Sequence, residues 1–402
     1  MKRSFLALMA CAAANLGAMF LSVFRGVQRM DKSNAIEMAL SILNVVGTVA
    51  VLRLGWGLTG LALMALCNAV ILVILSWWSV KRAMPWISLG FRFDGKLLRE
   101  MFAYGAQILV SRIGGVVSFR IDKLIIARFL GLTMVPFYEI GARLSALVRA
   151  LPLLMMSALI PATSELGARN DKEKIIQTYV MTSKYVALIT FGLAAFVALE
   201  ADSILRLWLG AGVEQSVVLV QLLVIGYGAN VLSGAASQTG AGVGRPEFDM
   251  RSTIVLTVLT PLLGVLLVPR FGAVGVAAGT SLALIIAAMY LLVAFHRNYL
   301  ETSVVRMLWG VHARPLAAGL LSILAVMFLH RAFPAVEALS GVRYLILAKL
   351  ALDLAVFAPV YALFLVWARQ VTATDRKNFL GLMNFGFEFV RHPFRERVKI
   401  YR

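Results

Sequence analysis

The chain has 402 residues, 60% hydrophobic and 15% charged, with a formal net charge of +19 and a mean hydropathy of +0.85. Such a composition excludes a soluble domain, because the apolar residues gather in stretches of roughly the 20 residues that cross a bilayer core. The positive charge lies mainly in the loops between those stretches, where it acts as an orientation signal and argues against a nucleic-acid partner.

In chain order the apolar stretches lie near 5–24, 35–52, 58–78, 101–126, 135–160, 178–199, 216–237, 252–269, 273–295, 315–329 and 344–367. They predict an all-α, polytopic membrane protein with about eleven transmembrane helices. Met1-Lys2-Arg3 followed by Phe5–Ala14 is similar to a signal peptide, but the first stretch has an internal counterpart at 216–237, so it is read as a helix. Cys11 and Cys67 fall inside apolar stretches and read as small core side chains. His296, His312, His330 and His392 are scattered without ligand spacing, so no metal site is expected.

Residues 14–63 repeat at 229–278. Ala14-Asn15 matches Ala229-Asn230, Gly26-Val27-Gln28-Arg29 matches Gly242-Val243-Gly244-Arg245, and Gly57-Leu58-Thr59-Gly60 matches Gly272-Ala273-Val274-Gly275, at an offset of 215 or 216. Repeated helix groups are how many secondary transporters build two lobes around one site. The Gly-x-x-Gly pairs suit tight turns and close helix packing. Gly240, Gly242 and Gly244 do not form a nucleotide loop, since no strand precedes them. Asn15, Asn230 and Gln238 read as interhelical hydrogen bonds.

Loops 25–34, 79–100, 165–184, 244–251, 296–314 and the tail after 368 hold about 25 basic residues against about 12 in the alternate set, which makes the first set and the C-terminus cytoplasmic. Eleven helices would then leave the basic N-terminus outside. The second copy is preceded by three helices and the first by none. The expectation is therefore a chain lacking three front helices, about 120 residues.

The resulting plan is two pseudo-symmetric helical lobes with the N-terminal lobe incomplete. Residues 1–79 form its three helices, 80–98 a cytoplasmic inter-lobe linker and 99–295 the C-terminal six-helix lobe. Residues 296–370 add two helices, and 371–402 form a basic amphipathic cytoplasmic tail suited to anionic membrane lipid.

Charges inside the fourth and fifth stretches are the most unusual feature. Arg112, Arg120, Asp122, Lys123 and Arg128 lie in or near the fourth, and Glu139, Arg143 and Arg149 in the fifth. Ionised groups at membrane depth cost roughly 2.5–3.5 kcal/mol each on insertion scales and persist where they face a cavity or pair. Arg112 and Lys123 fall within about 20° of one helix face. Glu139 precedes Arg143 by four residues, the favourable ion-pair order. Asp122 is placed to pair with Arg120 or Lys123. Arg112, Arg120, Asp122, Lys123, Glu139, Arg143 and Arg149 are the candidate substrate-binding residues, and their excess of base favours an anion. The bland alternative leaves Arg120–Lys123 snorkelling at the outer interface.

The stretch Arg120-Ile121-Asp122-Lys123-Leu124-Ile125-Ile126, then Val135-Pro136-Phe137-Tyr138-Glu139-Ile140-Gly141-Ala142-Arg143-Leu144, resembles the polysaccharide-transport family of lipid-linked oligosaccharide flippases. Leu159-Ile160-Pro161-Ala162-Thr163-Ser164-Glu165-Leu166, Ile204-Leu205-Arg206-Leu207-Trp208-Leu209-Gly210 and the glycine segments at 242–246 and 272–277 are also similar. The superfamily includes multidrug extruders and peptidoglycan-precursor flippases. The resemblance spans roughly 12–300. It implies two six-helix lobes, alternating access with H+ or Na+ coupling, and no other cofactor. It also implies a multi-pass protein of the bacterial inner membrane that moves an undecaprenyl-pyrophosphate-linked oligosaccharide for O-antigen or other surface polysaccharide, beside a polymerase and other assembly proteins. A multidrug or cation antiporter is the alternative, although it would favour an acidic cavity. An enzyme is not expected, since the outer loops are short and lack a His/Asp/Glu constellation. A remnant of a degraded gene is the third alternative.

Overall fold

The computed structural model describes residues 2–26, 29–84, 94–337 and 342–370. Most of the predicted linker (85–93) and the predicted amphipathic tail (371–402) lie outside the described residues. Every regular element among the described residues is helical. The chain divides into two compact units, Met1–Arg99 and Glu100–Arg402.

The first unit holds α1 (Lys2–Gly26), α2 (Met30–Arg53) and α3 (Gly57–Ala83). Its core joins Leu21, Phe24 and Val80, with Leu72 and Ala83 packed alongside. Gly17 allows α1 to approach α3, since a Cβ there would lie 2.5 Å from Leu72 Cγ. The reversal between α2 and α3 passes through Gly55 and Gly57, at φ +73° and +54°, a backbone that L side chains adopt only with strain.

The second unit begins in α4 (Gly95–Ser118), whose first turn precedes the boundary, and continues through α5 (Ile121–Leu130), α6 (Val135–Met156), α7 (Leu159–Ala168), α8 (Lys172–Leu199) and α9 (Ala201–Leu209). Next come α10 (Gln215–Leu232), α11 (Gly234–Gly242) and the long α12 (Glu247–Phe295). The remainder is α13 (Val304–Met307), α14 (Arg314–Ala332), the short α15 (Pro334–Glu337) and α16 (Arg343–Trp367). The sequence reading treats 101–126, 135–160 and 216–237 as single helices. Each is a broken pair, with breaks at Phe119–Arg120, Ser157–Ala158 and Ser233. Serine promotes all three: Ser118, Ser157 and Ser233 turn their hydroxyls back onto the carbonyls of Gly114, Leu154 and Asn230, at 2.8, 2.7 and 2.8 Å. Such back-bonding weakens the helical ladder and bends it.

Within α12 the backbone leaves helical geometry at Gly272 (φ 60°, ψ −139°), and the chain folds back. Behind that turn a Cβ on Gly275 would meet the Leu267 carbonyl oxygen at 2.5 Å, and one on Gly279 the Leu263 carbonyl carbon at 2.9 Å. Ser252 donates to the Ala287 carbonyl across the same hairpin at 2.7 Å. Close backbone approach through small residues is the usual way apolar helices associate where burial gives little driving force.

Among the described residues, eight helical runs are long and apolar enough to cross a membrane, and one of them, Glu247–Leu300, includes the reversal at Gly272. The first helix contributes a shorter apolar segment, Leu8–Phe24. The charged α4–α5 run falls outside the eight. This is an all-α polytopic membrane protein. Its second unit has an interior of apolar clusters, one joining Tyr179, Phe248 and Phe295, another Ile126, Tyr138 and Leu284.

Candidate functional site

The α5–α6 hairpin turns at Gly131, whose φ of +88° requires glycine. Pro136 in the first turn of α6 starts that helix without wasting a donor. Lys123 stands eight residues before Gly131 and Glu139 eight after. At 1.5 Å per residue both lie about 12 Å from the turn. Lys123 and Glu139 form a close ion pair across the two helices. Arg143, one turn along α6, donates from Nε to Glu139 Oε1 at 2.8 Å.

Around this triad lies a groove of about 620 Å³, lined among others by Arg112, Gly115, Phe119, Arg120 and the triad itself. The break at Phe119–Arg120 brings Arg112 on α4 and Lys123 on α5 to one opening. Four bases therefore share the groove with one acid, and that acid is already engaged by two of them. Neither Arg112 nor Arg120 enters an ion pair among the described residues. An anion with several oxygens would meet guanidinium donors there in charge-assisted, bidentate geometry.

Two of the seven expected residues sit elsewhere. Asp122 does not pair with Arg120 or Lys123; it is 1% exposed and points into the protein. Its carboxylate accepts from the Tyr138 hydroxyl at 2.6 Å and from the Thr280 hydroxyl at 2.9 Å. Successive residues on a helix diverge by about 100°, so Lys123 in the groove sends Asp122 to the interior. Arg149 lies behind the groove wall, with its guanidinium 4.3 Å from the Phe119 ring centroid and 5.5 Å from that of Tyr227. Its Nε is buried without a hydrogen-bond partner, so the attraction of two aromatic faces holds the charge.

A second group of charges escaped the sequence reading. Lys349 on α16 donates to Glu200 at 2.7 Å and to Ser203 at 3.0 Å, and pairs with Asp353 at 3.1 Å. Asp353 also takes His330 of α14 at 2.8 Å. Glu200 is 2% exposed, Lys349 8% and Asp353 0%. Carboxylate and imidazole atoms of Glu200, His330 and Asp353 lie within 4.8 Å of one another, near enough to hold a cation. The Lys349 ammonium already supplies one. Lys349 and Asp353, four apart in an otherwise apolar stretch, were the available signal; Glu200 and His330 lie far off in sequence.

A family model described as polysaccharide biosynthesis protein matches residues 7–218. The chain belongs to that family. It is 25% identical to a "Probable low-salt glycan biosynthesis flippase" of Haloferax volcanii, over 71% of this chain and 58% of that protein. It is 23% identical to a Shigella flexneri protein assigned as an O-antigen transporter, over 50% of this chain and 48% of that one. The chain thus spans about half the length of these curated relatives. Among solved structures, MATE in complex with MaL6 superposes at a TM-score of 0.63 with 17% identity, over 73% of this chain and 67% of that one. The lipid II flippase MurJ in an inward closed conformation gives 0.52 with 14% identity, over 81% and 66%. At those identities the likeness is one of fold.

Proposed function

We propose that this protein belongs to a flippase that carries an undecaprenyl-pyrophosphate-linked oligosaccharide across the bacterial inner membrane by alternating access. The observation that carries the reading is the groove, where Arg112 and Arg120 have no ion-pair partner among the described residues and Lys123 and Arg143 share Glu139. A pyrophosphate entering it would replace water around two guanidinium groups with direct charge-assisted bonds, at a depth where such bonds are less screened. The polyprenyl tail would remain in the bilayer while the headgroup crosses. The glycan-flippase and O-antigen names of the relatives support the same substrate class.

Coupling to H+ or Na+ would fall to Asp122, a buried carboxylate one residue from the groove and ringed by hydroxyls of Tyr138 and Thr280. Exchange of one cation there would alter the bond between α5 and α12 and so the packing of the groove helix. The C-terminus would lie in the cytoplasm, with the basic loops. The polymerase and other assembly proteins would act on the delivered product.

The test is complementation of a flippase-deficient strain by a full-length gene carrying this region, with lipid-linked intermediates resolved by leaflet. Rescue by the wild type and cytoplasmic accumulation with R112Q/R120Q would support the reading. Unchanged intermediates together with raised drug sensitivity on deletion would transfer it to the cation-antiporter alternative.

A further inference from the structure

The buried charges where α14 and α16 meet the end of α8 do not balance through Lys349 alone. Glu200 and Asp353 are two acids, and the Lys349 ammonium between them is one base. That ammonium hydrogen-bonds Glu200 at 2.7 Å and Ser203 at 3.0 Å. Asp353 Oδ2 receives only its charge, at 3.1 Å, without a hydrogen bond. One buried carboxylate charge is therefore left over. An ion taken out of water without a partner is far costlier than a paired one.

His330 is placed to supply the missing charge. Its Nε2 lies 2.8 Å from Asp353 Oδ1. A carboxylate only accepts, so Nε2 carries a hydrogen in this bond. A second proton, on Nδ1, makes the ring a cation and sets two bases against two acids. The His330 side chain is 17% exposed and that of Lys349 10%, while both acids are sealed, so the imidazole is the member that water reaches most readily. The other charged or titratable side chains described at this end of α14 and α16 are Arg331, Arg343 and Tyr344, all exposed. From α9 comes Asp202, which pairs with Arg206.

We infer that this corner is a proton-binding site open to the outer side of the membrane, where protonated His330 fastens α14 and α16 to the junction of α8 and α9. α14 packs on α8 and α16, and α16 packs on α9, so the cluster ties four elements together. α8 begins among the basic loops, which puts its far end, and the cluster with it, on the outer side. The missing charge is a proton and not a metal ion, because both Asp353 oxygens already meet nitrogen directly, at 2.8 and 3.1 Å. Loss of the proton returns the excess negative charge and loosens α16. The binding does not depend on transport.

Hydrogen–deuterium exchange of the detergent-purified full chain tests this, read over residues 343–353. The span runs from about pH 5.5 to about pH 9 and includes the range in which histidine ordinarily changes charge. Wild type and H330Q are compared at each pH, so the pH dependence of exchange chemistry cancels. At the acid end the wild type should be about tenfold better protected, the effect of one hydrogen bond between charged groups. At the alkaline end the two should agree, since neutral imidazole and the Gln amide each offer Asp353 an uncharged donor. In D353N, adding H330Q should make no pH-dependent difference. A ratio of wild type to H330Q that stays constant with pH would overturn the assignment, as would a pH-dependent effect of H330Q in folded D353N. Recovery of alkaline protection on adding Na+ or Zn2+ would also overturn it and give the site to a metal ion.

Discussion

Arg29 and Arg245, 216 positions apart, receive the chain in the same way: each backbone N–H donates to the carbonyl five residues earlier, Phe24 at 2.8 Å and Gly240 at 2.7 Å. This bond closes the end of a helix. The matching turns downstream are also alike, with Gly57 at φ +54° and Gly272 at φ +60°. The repeat in the letters is thus a repeat in backbone geometry.

Gly272→Ala should therefore destabilise the second unit. A non-glycine residue forced into such a conformation costs about 1–3 kcal/mol. Thermal unfolding in detergent should show a lower midpoint for G272A, while G115A, where a Cβ would meet nothing within 4 Å, should leave it nearly unchanged.

Glu139→Gln should strengthen anion binding in the groove. It removes the acid that occupies Lys123 and Arg143 and leaves four bases without a counter-charge there. Calorimetry with a short polyprenyl pyrophosphate should report about two- to fivefold tighter binding at low salt, with a steeper loss as salt screens the added charge.

Asp122→Asn should weaken the α5–α12 contact. The amide keeps one acceptor oxygen where the carboxylate offers two, so either the Tyr138 or the Thr280 hydroxyl loses its acceptor, at about 1–3 kcal/mol. If Asp122 carries the coupling ion, substrate binding to D122N should also lose its dependence on pH or Na+. Retention of that dependence would remove Asp122 from the coupling role.

Lys349→Met should unfasten α16. It leaves Glu200 and Asp353 buried without their cation, and breaking a buried pair by removing one partner costs about 3–5 kcal/mol. The triple variant K349M/E200Q/D353N should recover much of the loss, because no uncompensated charge remains. Midpoints from a full set of single and combined variants would separate the pair terms.

At the start of α8 two carboxylates are held below their ordinary range. Bonds from Lys174, side chain and backbone, lower Asp171, and the Lys172 ammonium lowers Glu301 from 2.9 Å. A depressed carboxylate stabilises the fold above its unfolded pKa, and that contribution fades as pH falls through the folded value. E301Q should thus be slightly less stable than wild type at neutral pH and equal to it in strong acid. The difference at neutral pH should shrink with salt.

Composition and periodicity by themselves determined the membrane class, the helical stretches and the repeat, because a bilayer demands long apolar runs and glycine is nearly alone in tolerating the turns at Gly57 and Gly272. The charges at 112–143 were visible because ionised residues are rare inside long apolar stretches. Tertiary structure decided where each one points. Asp122 and Lys123 are neighbours in sequence, yet helical rotation buries one against Tyr138 and Thr280 and opens the other to the groove. Glu200, His330, Lys349 and Asp353 came together only through packing of α14 and α16 on the end of α8, since no local spacing records a contact across 149 residues. The π-helical turn over 308–313 was equally hidden, and the Gln370 amide that bonds its Gly310 and Val311 carbonyls stands 60 and 59 residues away in sequence.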